Sequence, residues 1–263
     1  MKIVMNKLYT SIIVFLVLAS CVADKKPIRH LANNKNFEIK VDTLNLFDQF
    51  RNRNIPVAFY SSKAYPKNRK QKIVIFSHGY GQNKGGDYLA YSYLTEKLAS
   101  KGYFVASIQH ELSTDSLMPL IGIPQIVRRP FWERGVDNIL FVIKEMKKSN
   151  PELNFKLITL IGHSNGADMV ALFPQKYPNV VEKIITLDNR RMALPRTKRN
   201  PKVFSLRSSD QSADEGVLPT IDEQKKLGIT IIKLPNTIHN HMDDQANANQ
   251  RNEINEYILS FIK

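Results

Sequence analysis

A lone serine stands between two glycines in the motif Gly162-His163-Ser164-Asn165-Gly166. An apolar run precedes the motif and a small-residue, apolar stretch follows it, so it joins a predicted buried strand to a predicted helix. A turn this tight strains its central residue and exposes the serine side chain, while the glycines remove Cβ atoms that would clash. The helix N-terminus then favours negative charge developing at the hydroxyl. This chemistry is that of an acyl-transfer nucleophile; the alternative is a turn serine that caps the next helix.

The elements that must position this serine are visible in the hydrophobic pattern. Short apolar runs alternate with helix-period segments, which is typical of a mostly parallel sheet covered by helices on both faces. Apolar residues three and four apart predict helices around Leu94, Ile139 and Ile258. An antiparallel edge strand is expected at 37–46, and one α/β domain accounts for residues 37–263. The remaining strands are predicted at residues 56–60, 72–76, 103–108, 156–161, 181–187, 202–206 and 229–234.

These motifs resemble those of the α/β-hydrolase family across the whole predicted domain. The stretch around Ser164 matches the family's nucleophile elbow, and residues 77–81 (Ser-His-Gly-Tyr-Gly) match its His-Gly loop. Residues 47–57 are similar to the early strands of dienelactone-hydrolase-like and platelet-activating-factor-acetylhydrolase-like members. The resemblance implies an α/β-hydrolase fold with a twisted sheet of about eight strands. It also implies an oxyanion hole made by the backbone N–H groups of Tyr80 and Asn165.

The base that such a serine needs is expected late in the chain. A serine hydroxyl is a poor nucleophile until a general base takes its proton, and an acid must orient that base. In this fold the acid and then the histidine follow the serine, and only His239 and His241 lie after Ser164. His239 is preferred because it comes first after the last predicted strand, and His241 is the alternative.

Two aspartates compete for the role of the acid. Asp210 follows the strand at 202–206, where the family usually places its acid, and it is the preferred candidate. Asp188 follows the preceding strand, a position that some family members use. The aspartate that is not the acid is expected to pair with a nearby arginine such as Arg190 or Arg207. The mechanism needs no metal ion and no organic cofactor.

The spacing of the late strands bears on access to the site. Only residues 188–201 separate two predicted strands at the place where family members with large lids insert them, so no large lid domain is expected. The longest unassigned loop spans 111–130, and its aliphatic residues are expected either to form an acyl-pocket wall or to fill core beneath the loop. His110 is a further candidate for the pocket lining. The aliphatic residues in question are Leu117, Met118, Leu120 and Ile121.

The N-terminus has the features of an export signal. Lys2 and Lys7 flank the start of a short apolar run that ends at Leu18-Ala19-Ser20-Cys21, a tetrad that resembles the lipobox of bacterial lipoproteins. The expectation is a lipoprotein signal peptide at 1–20, a lipidated (palmitate-bearing) Cys21 and a polar tether at 21–36. The alternative is an ordinary cleaved signal. Cys21 is the sole cysteine, which excludes an intramolecular disulfide.

Charge narrows the range of functions. The formal net charge is +14, which suits an envelope protein near anionic lipid or polysaccharide, and no nucleic-acid recognition motif accompanies it. The expected protein is a serine hydrolase of small-molecule carboxylic esters that acts through an acyl-enzyme. A lipid anchor would hold it in the bacterial cell envelope, facing the periplasm or the exterior. A peptidase or amidase with the same triad, and a non-catalytic binding module on this scaffold, are the alternatives.

Overall fold

Eight strands form one sheet in the computed structural model, which describes residues 36–66 and 68–263. Their order across the sheet is β1-β2-β4-β3-β5-β6-β7-β8. Pairing is antiparallel from β1 to β2 and from β2 to β4, and parallel from there to β8. This confirms the predicted sheet and its antiparallel edge. The strands are β1 (Ile39–Asp48), β2 (Arg53–Ser62), β3 (Lys72–Ser77), β4 (Phe104–Ile108), β5 (Asn154–His163), β6 (Lys183–Leu187), β7 (Lys202–Arg207) and β8 (Thr230–Lys233).

Helices cover both faces of the sheet, because alternate residues of each central strand point to opposite sides. In β3, Ile73 and Ile75 join an apolar cluster with the helices at 129–149 and 165–176, whereas Val74 and Phe76 join a second cluster with the helices at 92–100 and 248–262. The helices are α1 (Ser92–Ser100), α2 (Pro124–Val127), α3 (Arg129–Ser149), α4 (Asn165–Lys176), α5 (Ile221–Leu227) and α6 (Ala248–Ile262), with 3₁₀ turns at Asp87–Leu89 and His239–His241.

The strand register aligns the carboxyl ends of the central strands. Ser77 of β3 pairs with Gly162 of β5, and His163 pairs with Leu187 of β6. Leu187 in turn pairs with Leu206 of β7. The loops that leave these four strands therefore start side by side, at the edge where ligands bind in open α/β sheets.

The segment between β6 and β7 is short, as predicted. Residues 188–201 contain no helix, and within residues 36–66 and 68–263 no large lid covers the carboxyl edge of the sheet. The predicted signal peptide (1–20), Cys21 and nearly all of the predicted tether (21–36) lie outside the described residues. Among the helices of residues 36–66 and 68–263, none is long and apolar enough to cross a membrane.

Candidate active site

The turn between β5 and α4 holds Ser164 in a strained conformation. Ser164 has φ 53° and ψ −118°, a combination that costs free energy for a residue with a Cβ atom. Glycines permit the turn, because a Cβ on Gly162 would overlap the backbone of Gly166, and a Cβ on Gly166 would overlap the backbone at Ser77 and His78. This backbone conformation therefore exposes the Ser164 side chain at the carboxyl edge of β5, beside the loop that follows β3.

His239 joins this serine to an aspartate. Its Nε2 lies 2.9 Å from Ser164 Oγ, and its Nδ1 lies 2.5 Å from Asp188 Oδ2. A hydrogen on Nδ1 satisfies the carboxylate and leaves Nε2 free to accept the serine proton. The structure thus brings His239, and not the alternative His241, to Ser164. The order serine–histidine–aspartate in space is that of a nucleophile, its base and the orienting acid.

Asp188 is fully buried, but protein groups supply its carboxylate with hydrogen bonds and an ion pair. Its Oδ1 lies 2.9 Å from Arg207 Nη2 and accepts from the backbone N–H of Ser208 at 3.1 Å. The Ser208 hydroxyl donates to Oδ2 at 2.7 Å. Burial by itself raises the pKa of Asp188, but the hydrogen bond from His239, the Arg207 charge and the Ser208 bonds outweigh it, so the net pKa is lowered. The carboxylate consequently stays ionised beside the imidazole.

Asp210, the preferred acid of the sequence analysis, does not reach the imidazole, and that preference is corrected here. Its Oδ1 accepts a hydrogen bond of 2.7 Å from the backbone N–H of His239. The reason is that the chain turns away after Ser208, so the Asp210 side chain meets the main chain of the histidine loop. Asp210 thus fixes the loop that carries His239, while Asp188 fixes the ring. The expected arginine partner belongs to Asp188, through Arg207.

Two backbone N–H groups near Ser164, those of Tyr80 and Asn165, are the candidates for an oxyanion hole. Asn165 is the first residue of α4, so its N–H has no partner within the helix. Tyr80 lies in the loop after β3 and lines the pocket that contains Ser164. Tyr91 connects the two loops, because its hydroxyl accepts from the Gly79 N–H at 3.0 Å and lies 2.7 Å from His163 Nδ1. The oxyanion hole of Tyr80 and Asn165 stays a prediction.

His163 is neutral in this arrangement. Burial lowers its pKa to about 3, with the neighbouring His239 contributing in the same direction. A neutral ring carries a hydrogen on one nitrogen alone, so Nδ1 accepts the Tyr91 hydroxyl hydrogen in the tautomer that is protonated at Nε2. A neutral ring here avoids placing a positive charge against the imidazole of His239, whose centroid is 4.7 Å away.

A buried network supports the Asn165 side chain from two directions. Trp132 of α3 donates its indole N–H to Asn165 Oδ1 at 2.8 Å, and Asn165 Nδ2 donates to Glu111 Oε1 at 2.8 Å. Glu111 Oε2 lies 3.7 Å from His78 Nε2, which already accepts from the His110 N–H at 3.0 Å. Burial raises the pKa of Glu111. The network fastens the start of α4 to the loop after β4.

The pocket above Ser164 is small and polar, with a volume of ≈ 200 Å³. Two carboxylates, Asp87 and Asp243, lie in its wall, and no lysine or arginine does. Neither carboxylate forms a salt bridge within the part of the chain that the structure describes. His110 is fully buried and packs against His78, with the ring centroids 5.5 Å apart and the planes tilted by 42°, instead of lining this pocket, which corrects its predicted place.

The aliphatic residues of the loop after β4 do not form a pocket wall. Met118 is buried, but Leu117, Leu120 and Ile121 are exposed, so both sequence-based expectations are wrong for these three. The sequence analysis also missed Tyr91 and Glu111. Tyr91 falls on an apolar helical face, where its hydroxyl gives no signal, whereas an acid directly after the apolar run 103–108 was a usable hint for Glu111.

Comparison with known proteins supports the same architecture. The family described as platelet-activating factor acetylhydrolase, isoform II, matches residues 35–117, which include the loop after β3 but not Ser164. No curated relative matches the chain.

Solved structures match over most of the chain at low sequence identity. A ferulic acid esterase from Streptomyces cinnamoneus has a TM-score of 0.64 and 16% identity, covering 86% of this chain and 89% of its own. A dienelactone-hydrolase-like promiscuous phosphotriesterase from metagenomic libraries has a TM-score of 0.59 and 14% identity, covering 85% and 97%. An acylaminoacyl peptidase of Pyrococcus horikoshii has a TM-score of 0.63 and 14% identity, covering 87% of this chain but 42% of its own. The chain therefore has the α/β-hydrolase fold, as its motifs predicted.

Proposed function

We propose that the protein is a serine hydrolase that cleaves small carboxylic esters. The observation that carries the proposal is the continuous contact from Ser164 Oγ through His239 to Asp188, with distances of 2.9 and 2.5 Å. The match of residues 35–117 to an acetylhydrolase family and the likeness to a ferulic acid esterase support ester substrates.

The proposed reaction passes through an acyl-enzyme. Ser164 Oγ attacks the ester carbonyl carbon as His239 Nε2 takes the hydroxyl proton, and the N–H groups of Tyr80 and Asn165 hold the oxyanion. The tetrahedral intermediate collapses when His239 returns the proton to the leaving alcohol oxygen. Water then attacks the acyl carbonyl carbon as His239 Nε2 takes a proton from it. The bond to Ser164 Oγ breaks when His239 returns that proton to Oγ, and the carboxylic acid leaves. Asp188 keeps the ring oriented and stabilises its charged form.

The pocket indicates the size and charge of the substrate. Its ≈ 200 Å³ corresponds to roughly seven water volumes, which accommodates a short acyl group. The carboxylates of Asp87 and Asp243, which form no salt bridge among the described residues, disfavour an anionic acyl group by like-charge repulsion. A short, neutral acyl ester is therefore the proposed substrate class.

Labelling with a fluorophosphonate tests the nucleophile, because only an activated serine reacts. Wild type is expected to be labelled at Ser164 and to hydrolyse a short-acyl ester, and Ser164→Ala is expected to do neither while retaining its circular dichroism spectrum. Ser212→Ala removes an exposed serine hydroxyl that contacts neither His239 nor Asp188 among the described residues, and it serves as the control for loss of a serine hydroxyl. Ester hydrolysis by folded Ser164→Ala at the wild-type rate would exclude the proposal.

A matched ester and amide with one acyl group separate the esterase from a peptidase or amidase. We expect the ester to have the higher kcat/KM by a wide margin. An amide turned over as fast as its ester would instead assign the protein to the peptidase alternative, for which the likeness to an acylaminoacyl peptidase is the supporting observation.

We also propose that a lipid on Cys21 anchors the protein in the bacterial cell envelope. The support is the tetrad Leu18-Ala19-Ser20-Cys21 behind a short apolar run, in a chain with no other cysteine. Cys21→Ser should move the protein from the membrane to the soluble fraction. Equal fractionation of the two proteins would reject lipidation.

A further inference from the structure

Five aliphatic side chains stand in solvent beside the candidate active site. Their exposed fractions run from 61% at Ile123 to 91% at Ile121. Large aliphatic residues exposed singly are ordinary, but five within ten positions of the chain are a concentration of exposed apolar surface of the kind that marks an interaction site. We call this set the aliphatic ridge; its members are Leu117, Leu120, Ile121, Ile123 and Ile126.

The ridge is held in place by its neighbours. The N–H of Met118 donates to the Tyr80 hydroxyl at 2.9 Å, which ties one end to the loop after β3. At the other end Gln125 Nε2 donates to the carbonyl of Arg191 at 3.3 Å and to Asp214 Oδ2 at 2.9 Å. The ridge thus bridges two loops at the carboxyl edge of the sheet, with its aliphatic side chains pointing away from the protein.

Arginines lie at the base of this ridge. Arg128 donates through Nε to the carbonyl of Pro119 at 3.0 Å, inside the ridge segment. Arg191 lies at the other end of the segment, because its carbonyl accepts from Gln125 Nε2 at 3.3 Å, and Arg190 precedes it in the chain. Of the three, Arg191 is the one that forms a salt bridge among the described residues, with Asp214. From 116 to 127 the sequence itself carries no charged residue.

We propose that the aliphatic ridge is a docking surface for an anionic lipid bilayer. An apolar tip with cations at its base matches the layering of a membrane surface, where side chains such as Leu120 and Ile121 enter the acyl boundary and guanidinium groups meet phosphates. This surface is independent of any lipid on Cys21, because it belongs to the folded domain. It orients the carboxyl edge of the sheet toward the bilayer.

A second copy of the chain fits the ridge less well. A two-fold contact through the ridge would bring Arg128, Arg190 and Arg191 from both copies together, and like charges at an interface oppose association. Anionic lipid, in contrast, neutralises all of them. The charge around the ridge therefore favours the bilayer as its occupant.

The sole native cysteine makes a direct test possible. In the full chain carrying Cys21→Ser, a cysteine introduced as Ile121→Cys is labelled with an environment-sensitive dye. Ile221→Cys provides the matched control, because Ile221 is also an exposed isoleucine, at the start of α5. With vesicles of phosphatidylglycerol and phosphatidylcholine, the dye at position 121 is expected to shift to the blue and brighten, and the dye at 221 is not.

Vesicle affinity gives the second measurement. In the same background, Leu120→Asp with Ile121→Asp should lower the partition coefficient by at least about tenfold, because the aliphatic burial is lost. Ile221→Asp should leave it unchanged. Arg128→Gln and Arg190→Gln should each lower affinity for the anionic vesicles by about fivefold and have little effect with phosphatidylcholine alone. Hydrolysis of a soluble ester should be the same in the ridge variant and in wild type, which separates docking from catalysis.

Three results would overturn the proposal. The first is an unchanged dye spectrum at position 121 in the presence of vesicles. The second is equal vesicle binding by the ridge variant and the Ile221→Asp control, which would assign binding to other parts of the chain. The third is a concentration-dependent dimer that the ridge variant abolishes, without vesicle binding, which would make a second copy the occupant.

Discussion

Replacing each of the two competing aspartates by asparagine separates their roles sharply. Asp188→Asn keeps the shape of the side chain but lets it present an amide N–H to His239 Nδ1, which favours the wrong imidazole tautomer. Loss of the acid in a triad lowers kcat by about four orders of magnitude, or about 5.4 kcal/mol in the activation barrier. Asp210→Asn keeps an oxygen that accepts from the His239 N–H. That change weakens one hydrogen bond by about 1 kcal/mol and should lower kcat by less than tenfold.

Folding must be measured beside activity, because Asp188 also neutralises buried Arg207. Removing one partner of a buried ion pair costs roughly 3–5 kcal/mol, a large part of the stability of an ordinary domain. A double variant, Asp188→Asn with Arg207→Met, removes the stranded charge. It should recover stability toward wild type and leave kcat as low as in Asp188→Asn.

The assay is initial-rate hydrolysis of a short-acyl ester. Circular dichroism shows that each variant is folded, and urea unfolding measures its stability. Asp210→Asn serves as the control for loss of one negative charge near His239. Asp188 is not the acid if folded Asp188→Asn retains kcat within tenfold of wild type, or if Asp210→Asn has the lower kcat of the two. The same conclusion holds if the double variant regains activity together with stability.

Three further outcomes are expected. Glu111→Leu should lower kcat by at least about tenfold with little change in KM, because the side chain of Asn165, at the predicted oxyanion hole, loses its hydrogen-bond acceptor. Glu111→Gln should restore kcat, and an equal loss in both variants would contradict a positioning role. Burial raises the pKa of Asp168 to about 6 from 3.8, so its stabilising contribution is complete below 3.8 and is lost as the pH rises through about 6. In urea unfolding, the stability of wild type minus that of Asp168→Asn should therefore fall across this interval, and a rise would show the opposite sign. Because the described residues include no large lid, the rate against soluble ester concentration should be hyperbolic, and a jump at the solubility limit would reveal a mobile cover.

The fold was predictable because its signals are local. Apolar runs such as 72–76 and 181–187 coincide with β3 and β6 to within two residues at each end, since buried parallel strands need continuous apolar sequence. The elbow at Ser164 was predictable for the same reason. A strand, a five-residue turn and a helix lie next to each other in the chain, and glycine is required where the turn meets backbone.

The choice between Asp188 and Asp210 was not local. Both follow strands that end at the same edge of the sheet, so sequence position alone ranked them by family habit. Only the packing of β6 against β7 places Arg207 and Ser208 around Asp188 and gives its buried carboxylate the partners that it needs.

The surface of the loop after β4 shows the same limit. Composition alone could not distinguish aliphatic residues that fill a core from those that stand in solvent, because both have the same hydropathy. Of the candidates, the fold buries Met118 and exposes Leu120 and Ile121, since Met118 is tied by its backbone to Tyr80 and the chain beyond it runs outward. The sequence by itself determined the sheet, the elbow and the candidate base. Tertiary structure decided which aspartate contacts His239, which groups hold the Asn165 side chain and which aliphatic residues are exposed, because each depends on segments that are distant in the chain and adjacent in space.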